Sequence, residues 1–580
     1  MTVPSSQPPK KRRRSKLIVL SGFFLSALTL VLLFASPRSL HQALDNRAAV
    51  AADSTPSVDQ VALGTNLSSI AEWSTQLPFL DAFKSAMPWI TQCTETDSGC
   101  NAAWDTQEAD RLDRDEHDWV KSLPTSADEP IYTRIGTLMF RGLDGHYPGG
   151  QYVVLYEGEG SIEYRFDAQK DAALSRPGRD VLNVTPSGDG IYLIITATDP
   201  NKTGNYLRNI HVVPIQYENS FQTEIFNPVF IERIQRFHAL RFMDWMRTNN
   251  SPQSEWRDRP HVEDATYSTD KGVPLELMLA LANRVQANPW FNMPIQVTDE
   301  YMSEFARMVK DQLNPNLRVY VELSNEVWNW QFQQAQYALQ QGKARWGEDK
   351  SDAYMQWYGM RAWQMSDLWK RAFGNQRDRV VSMIGTQTVW RGLETAALDC
   401  PLWVAEGHAP CHENSDAYAI AGYFSGNLNQ NENQAPVEAL INQPDGGFEK
   451  AFMQMERGGV VTAHGYNDSL PGVSDLFAYH LNVAKQRNLH LVVYEGGQHL
   501  VSADNEKLTD FFIALNRHPR MGELYSQLLQ RWRDTEGTLF MNFSDIGRPS
   551  RWGSWGVLEY VEEEHSPRYD ALMRFLDETT

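Results

Sequence analysis

The sequence predicts an α/β fold: a closed barrel of eight parallel strands, each followed by a helix, with an all-β, sandwich-like domain inserted near its start and a transmembrane segment at the N-terminus. Three observations carry the barrel. Arg318-Val-Tyr-Val-Glu-Leu323 is a short β-branched and aromatic run after the turn-like Asn314-Pro315-Asn316, and it reads as a buried strand. Ser324, Asn325 and Glu326 follow directly, so a carboxylate with an amide beside it stands at the carboxyl end of a strand, where such barrels place their chemistry. Leu489-His-Leu-Val-Val-Tyr-Glu495 repeats the design and ends in a glycine pair that lets the backbone turn. Between and around these two stretches helical and strand-like runs alternate, the pattern of parallel α/β architecture.

Length and composition agree. The chain has 580 residues, 42% of them hydrophobic, with 18 Trp, 22 Tyr and 25 Phe, enough for a large core. A barrel of typically about 250 residues tolerates insertions to above 400. The net charge is -20, and the dense basic cluster, Lys10 to Arg14 with Lys16, lies at the extreme N-terminus. That balance speaks against nucleic acid and is compatible with a neutral sugar polymer. Cys93, Cys100, Cys400 and Cys411 form two close pairs, unlike zinc-ligand spacing. Pairing Cys93 with Cys100 and Cys400 with Cys411 closes two short loops and implies an oxidising compartment; four free thiols are the alternative.

The two glutamates have a chemical use. Cleaving a glycosidic bond with retention needs one carboxyl to protonate the leaving oxygen and another, about 5 Å away, to attack the sugar carbon. Strands on opposite sides of a closed barrel hold such a pair rigidly. With Asn325-Glu326 ending the fourth strand and Glu495 the seventh, the chain resembles the clan A glycoside hydrolases, the (β/α)8 TIM-barrel superfamily of many cellulases, mannanases and xylosidases. The likeness covers about residues 60–128 and 219–578 in architecture, and its specific part is Leu-Ser-Asn-Glu-Val-Trp and Val-Tyr-Glu-Gly-Gly. It implies that Glu326 is the acid/base, kept protonated by burial beside a second carboxylate, and Glu495 the nucleophile. Asn325 would bond the sugar 2-hydroxyl, and neither metal nor organic cofactor would be needed. The alternative reading makes Glu326 merely a helix cap and Glu495 one more surface acid, and the barrel reading weighs against it.

Residues 1–16 read as a basic cytoplasmic tail and 17–35 as an apolar run that just crosses a core of roughly 30 Å. Its positive flank keeps that side cytoplasmic. A signal peptide cut near Ala48-Ala-Val-Ala51 competes with an uncleaved anchor, which the length of the run favours. Both export the remainder. Residues 36–59 form a tether. The first part of the barrel occupies 60–128: Val61 to Leu67 resembles the first clan A strand, Leu77 to Ile90 has helical spacing, and Cys93 to Asp118 reads as surface loops.

Residues 129–218 hold strand-like runs at 132–140, 151–156, 162–166, 190–196 and 210–215, separated by turn residues, which reads as a β-sandwich. It is either a carbohydrate-contacting wall or a structural embellishment, and no repeated aromatic platform stands out in it. The barrel resumes over 219–578. Helices are expected at Pro228 to Arg236, Leu275 to Ala287, Asp299 to Leu313 and Leu476 to Asn488. Strands are expected at Phe237 to Met243, Pro289 to Pro294, Arg379 to Gly385, Ala417 to Phe424 and Thr538 to Phe543.

The resemblance assigns further residues by position. Arg241 matches the strand-two arginine that contacts the nucleophile, although the usual Asn-x-x-Arg lead is missing, which leaves a structural ion pair as the alternative. A guanidinium there would hold Glu495 ionised. Tyr423 matches a tyrosine that bonds the nucleophile. Trp552 or Trp555, with Trp552 preferred, would floor the sugar subsite. Among the aromatics after the fourth strand, Trp328 and Trp330 are the candidates for sugar stacking, and the rest read as packing between helix and barrel. Trp290 and Asn292 could face the sugar, His464 reads as structural, and His499 lies near the site in sequence. Ser425 to Asp445 reads as a long loop over the active face. Two rival readings are a carbohydrate-binding surface protein without turnover and a Ser or zinc hydrolase; the latter lacks its Gly-x-Ser-x-Gly elbow or His-Glu-x-x-His helix.

Overall fold

The computed structural model describes residues 61–579 apart from 98, 101–103 and 125–130. The expected tail at 1–16, membrane span at 17–35, tether at 36–59 and cleavage point at Ala48 to Ala51 all lie outside the described residues. Among the described residues no helix is long and apolar enough to cross a membrane.

The described chain opens with β1 (Ala62–Asn66) and then leaves the barrel for eight strands: β2 (Ile90–Gln92), β3 (Arg134–Met139), β4 (Gly150–Glu157), β5 (Gly160–Phe166), β6 (Ala168–Lys170), β7 (Arg179–Val184), β8 (Ile191–Thr198) and β9 (Arg208–Pro214). It returns with β10 (Ala239–Arg241), β11 (Asn288–Met293), β12 (Val319–Leu323), β13 (Val380–Gly385), β14 (Ala417–Phe424), β15 (His490–Gln498) and β16 (Leu539–Asn542). β1 and β10 to β16 pair in parallel in that order, and β16 returns to β1, closing an eight-stranded barrel. All eight carboxyl ends therefore open at one mouth.

The barrel is filled by side chains rather than left as a pore. Gly64 of β1 shows how tightly: a Cβ there would lie 2.4 Å from Met541 Sδ and 2.7 Å from the Ala239 carbonyl oxygen. Helices cover the outside by their apolar stripes. In Asp299–Gln312 the residues Tyr301, Met302, Phe305, Ala306 and Val309 are buried, the Thr298 side chain accepts from the Tyr301 N–H as N-cap, and the helix stops before Asn314-Pro315. The aromatic helix Ala353–Phe373 buries Trp357, Tyr358 and Trp369 in the same way.

The excursion between β1 and β10 forms two antiparallel sheets, ordered β2-β3-β8-β5 and β6-β7-β4-β9. Strand alternation sends Ile135, Leu193 and Ile195 of the first, with Tyr152, Val154, Leu182 and Val212 of the second, into one continuous core. The opposite faces make separate clusters, Leu138-Tyr192-Ile194 in one and Val153-Val213 with Leu80 and Phe221 in the other.

Two expected elements differ. Leu77 to Ile90 is not a helix: a single 3-10 turn, Ala82–Ser85, is followed by β2. Asp81 caps that turn through the Phe83 N–H, and Pro88 disfavours helical backbone at Met87, so the apolar spacing never propagates. The expected loop at Ser425 to Asp445 contains a helix, Gln434–Ile441. Its Val437 and Leu440 anchor one turn that the Asn and Gln composition concealed.

Both local disulfides are closed, Cys93–Cys100 and Cys400–Cys411, across 7 and 11 residues of sequence. Loops of this size give about 2–3 kcal/mol each by restricting the unfolded chain. Replacing either pair by serines is expected to lower the unfolding free energy by about that amount, read as a shifted urea midpoint at constant slope. An unchanged midpoint would contradict it.

Candidate active site

Arg241, the last residue of β10, is fully buried, and its guanidinium fork ties β10 to β1, β12 and β15. Nη1 donates to Glu495 Oε1 at 2.6 Å and Asn66 Oδ1 at 3.1 Å, while Nη2 donates to Glu322 Oε2 and Asn325 Oδ1, both at 2.9 Å. The rings of Trp290 and Tyr494 lie 5.4 and 5.3 Å from its charge. Burial works against that charge, and the Glu322 and Glu495 carboxylates outweigh it, raising the Arg241 pKa. A lysine could not reach four acceptors from one planar group.

Glu326 reaches the mouth through an unusual backbone. Ser324 and Glu326 both adopt positive φ, 61° and 41°, which costs non-glycine residues roughly 1–3 kcal/mol apiece. Side chains hold the turn in place. Asn292 Nδ2 donates to the Ser324 carbonyl at 2.8 Å and Gln334 Nε2 to the Asn325 carbonyl at 2.9 Å. The half-buried Glu326 carboxyl then accepts from Tyr494 Oη on Oε1 and Asn329 Nδ2 on Oε2, each at 2.9 Å.

Glu495 reaches the same mouth by a different device. Against β14 the register runs Ile420 with Val493 and then Ala421 with Glu495, so Tyr494 is the extra residue of a β-bulge. Regular alternation would send Tyr494 and Glu495 to opposite faces. The bulge turns both inward. The strand continues to Gln498, so the glycine pair does not end it, contrary to the sequence expectation. Gly496 is needed for close packing instead, because a Cβ there would meet the Phe540 ring at 2.4 Å.

Burial pushes the Glu495 carboxyl up to about 8; Arg241 pulls it down, and the Glu326 charge adds to the rise. Tyr423 Oη donates to Glu495 Oε2 at 2.9 Å. Burial, then the two glutamates, push the Tyr423 and Tyr494 phenols well above their ordinary value, so both remain O–H donors. His499 packs against Tyr423 with ring centroids 5.2 Å apart, and burial lowers its pKa, which leaves a neutral imidazole.

Thus Arg241 gathers Glu495 and Asn325, Tyr423 joins through Glu495, and Glu326 connects through Tyr494, whose backbone carbonyl accepts from Asn66 Nδ2 at 3.0 Å. Trp328 is buried beside Tyr494 at 6.2 Å. Trp552 is not in that network: it is 63% exposed, with the Arg551 guanidinium 4.6 Å from its ring. The ring next to Tyr423 belongs to Trp555, at 6.0 Å, and its Nε1 donates to the Trp552 carbonyl. Trp290 and Asn292 both donate to Glu322 Oε2, at 2.9 and 2.7 Å, and so support Arg241's second partner. Trp73, Trp330, Trp390, Tyr466 and Trp552, between 41% and 63% exposed, all lie in segments that follow the carboxyl ends of barrel strands.

Glu322, Asn66 and Tyr494 were missed by sequence reasoning. A glutamate inside an otherwise apolar strand was the available signal for Glu322, since a buried carboxylate demands a cation. Tyr494 could not be seen, because period-two alternation assigns it to the wrong face.

No family model matches the chain, and no curated protein matches it. Solved structures similar to it include a GH5-4 broad specificity endoglucanase from Clostridium acetobutylicum, at 9% identity and TM-score 0.34, covering 60% of this chain and 89% of that one. A GH10 structure from Paenibacillus barcinonensis matches at 13% identity and TM-score 0.34, over 61% of this chain and 91% of that one. An endo-1,4-beta-xylanase from Caldicellulosiruptor owensensis matches at 10% identity and TM-score 0.34, over 60% and 93%. The barrel itself is established by this chain's own strand pairing.

Proposed function

We propose that this chain is a retaining glycoside hydrolase acting on a polysaccharide or oligosaccharide. The observation that carries the reading is the pair of glutamates that β15 and the β12 turn bring to one barrel mouth with different partners. Glu495 receives hydrogen bonds from Arg241 and Tyr423, and Glu326 from Tyr494 and Asn329. Arg241 can only donate, so it favours the ionised Glu495.

In the first step a Glu495 oxygen attacks the anomeric carbon while the bond to the leaving oxygen breaks and Glu326 gives that oxygen its proton. In the second, Glu326 takes a proton from water as the water oxygen displaces Glu495 from the anomeric carbon. Both carboxyls end as they began. Asn325, with one amide hydrogen directed to Asn249, bonds the sugar 2-hydroxyl with the other. The exposed rings of Trp330 and Trp390, in the segments after β12 and β13, suit a substrate of several sugar units, whose C–H faces pack on aromatic planes. Two closed disulfides favour action outside the cytoplasm, and membrane tethering through 17–35 is proposed from the sequence alone.

The direct test is proton NMR of the first product released: the anomeric configuration of the substrate is expected, and its inversion would sink the reading. pH supplies a second test. Attack needs Glu495 as the carboxylate, a form that burial opposes and Arg241 supports. With Glu495 raised to about 8, the attacking form grows as pH approaches that value. Below about 8, kcat/KM is expected to rise with pH by up to about tenfold per unit, until Glu495 is ionised. A kcat/KM that falls steadily from about pH 6 to about pH 8 would contradict Glu495 as the attacking group.

A further inference from the structure

The exposed aromatic residues fall into two groups, one of which packs on a strand of the inserted β-sheets. Trp104 and Phe166, 47% and 51% exposed, lie on the β2-β3-β8-β5 sheet. Their ring planes are within 17° of parallel with centroids 6.2 Å apart, and each lies about as close to the buried Tyr192 ring, at 5.0 and 5.2 Å. Tyr192 is a fixed base for the two. Its hydroxyl bonds Gln92 Oε1, and its ring runs over Gly136 so closely that a Cβ there would meet it at 2.7 Å.

Folding alone does not account for this arrangement. Phe166 has φ 62°, a conformation uncommon for any non-glycine residue and an outlier for a bulky one, yet half of its side chain remains in water. Neither backbone preference nor burial favours phenylalanine at that place. Beside the rings, Arg165 stands opposite Tyr192 in the register and pairs with Glu163 at 3.1 Å, both half in solvent. Flat rings bordered by exposed donors and acceptors complement a pyranose, whose C–H face stacks and whose equatorial hydroxyls point to the edges.

We propose that Trp104 and Phe166 form a second carbohydrate-binding site, built on the inserted β2-β3-β8-β5 sheet, which holds the pyranose units of the polysaccharide while the barrel residues cleave it. The choice of ligand rests on the reading of the barrel as a glycosidase. The site escaped sequence inspection because Trp104 precedes the strand-rich segment and joins Phe166 only through folding.

The test uses the full chain carrying Glu495→Gln, so that bound polymer persists, and affinity electrophoresis in gels containing β-glucan, mannan, xylan or a bacterial exopolysaccharide. Trp104→Ala and Phe166→Gly are each expected to weaken retention at least tenfold in the gel that retards the parent, and Trp104→Tyr to keep most of it. Phe166→Gly relieves the positive φ, so its melting temperature is expected to be no lower than the parent's, whereas a purely structural Phe166 would lower it. With Glu495 restored, turnover of a short aryl glycoside is expected to be unchanged by either substitution; its absence in the wild type would refute the glycosidase reading while leaving retention to judge the platform. Retention unaltered by both substitutions, or no retardation of the parent in any gel, overturns the proposal. So does loss of self-association on Trp104→Ala with retention intact, which would make the rings a protein interface.

Discussion

Glu495→Ala is expected to lower kcat by roughly four orders of magnitude on every substrate, because it removes the atom that bonds the sugar. Glu326→Ala is expected to show a graded loss. A glycoside with a poor leaving group needs the proton and loses about as much, whereas an aryl glycoside whose phenolate leaves unaided keeps most of its first step and stalls at the second. Azide separates the two variants. In Glu326→Ala it attacks the covalent intermediate and gives a glycosyl azide of retained configuration; in Glu495→Ala it takes the place of the carboxylate and gives the inverted one. Glu495 bridges Arg241 and Tyr423, so Glu495→Ala is also expected to lower stability, and circular dichroism checks that each variant is folded at the assay temperature. Equal losses on all substrates, with neither variant rescued, would contradict the division of roles.

The second large effect is on stability. Arg241→Ala is expected to cost about 3–5 kcal/mol, since it leaves the Glu322 and Glu495 carboxylates buried without their shared cation. Arg241→Lys restores a charge but not the four-acceptor fork, and is expected to recover only part of the loss. Urea denaturation at pH 7 reads both. Adding Glu322→Gln to Arg241→Ala removes one of the stranded charges and is expected to regain stability, which a simple loss of packing volume would not. A double variant no more stable than Arg241→Ala would contradict the charge argument.

The sequence announced the barrel because its strands are short β-branched runs between amphipathic helices, a pattern that survives without any knowledge of tertiary contacts. It announced Glu326 and Glu495 because each directly follows such a run. Arg241 and Tyr423 were placed only by resemblance, and the structure puts both within hydrogen-bonding distance of Glu495. What stayed hidden depends on local departures from regular geometry. The bulge at Tyr494 breaks the alternation by which facing is inferred, and the positive φ of Ser324 and Glu326 redirects a carboxylate that a regular helix cap would have sent elsewhere. Trp555 rather than Trp552 lies beside Tyr423, and a three-residue spacing offers no way to choose between them. Long-range pairings such as Asn66 with Arg241 have no sequence signal at all.

The most direct measurement of the central claim is intact-protein mass spectrometry of Glu326→Ala mixed with an activated aryl glycoside, followed by proteolysis and peptide mapping. A covalent glycosyl adduct is expected to accumulate, because its formation no longer needs the missing acid while its hydrolysis still needs the missing base. It is expected on Glu495. An adduct on another residue, or rapid turnover of the same glycoside with none formed, would contradict the assignment of Glu495 as the attacking group.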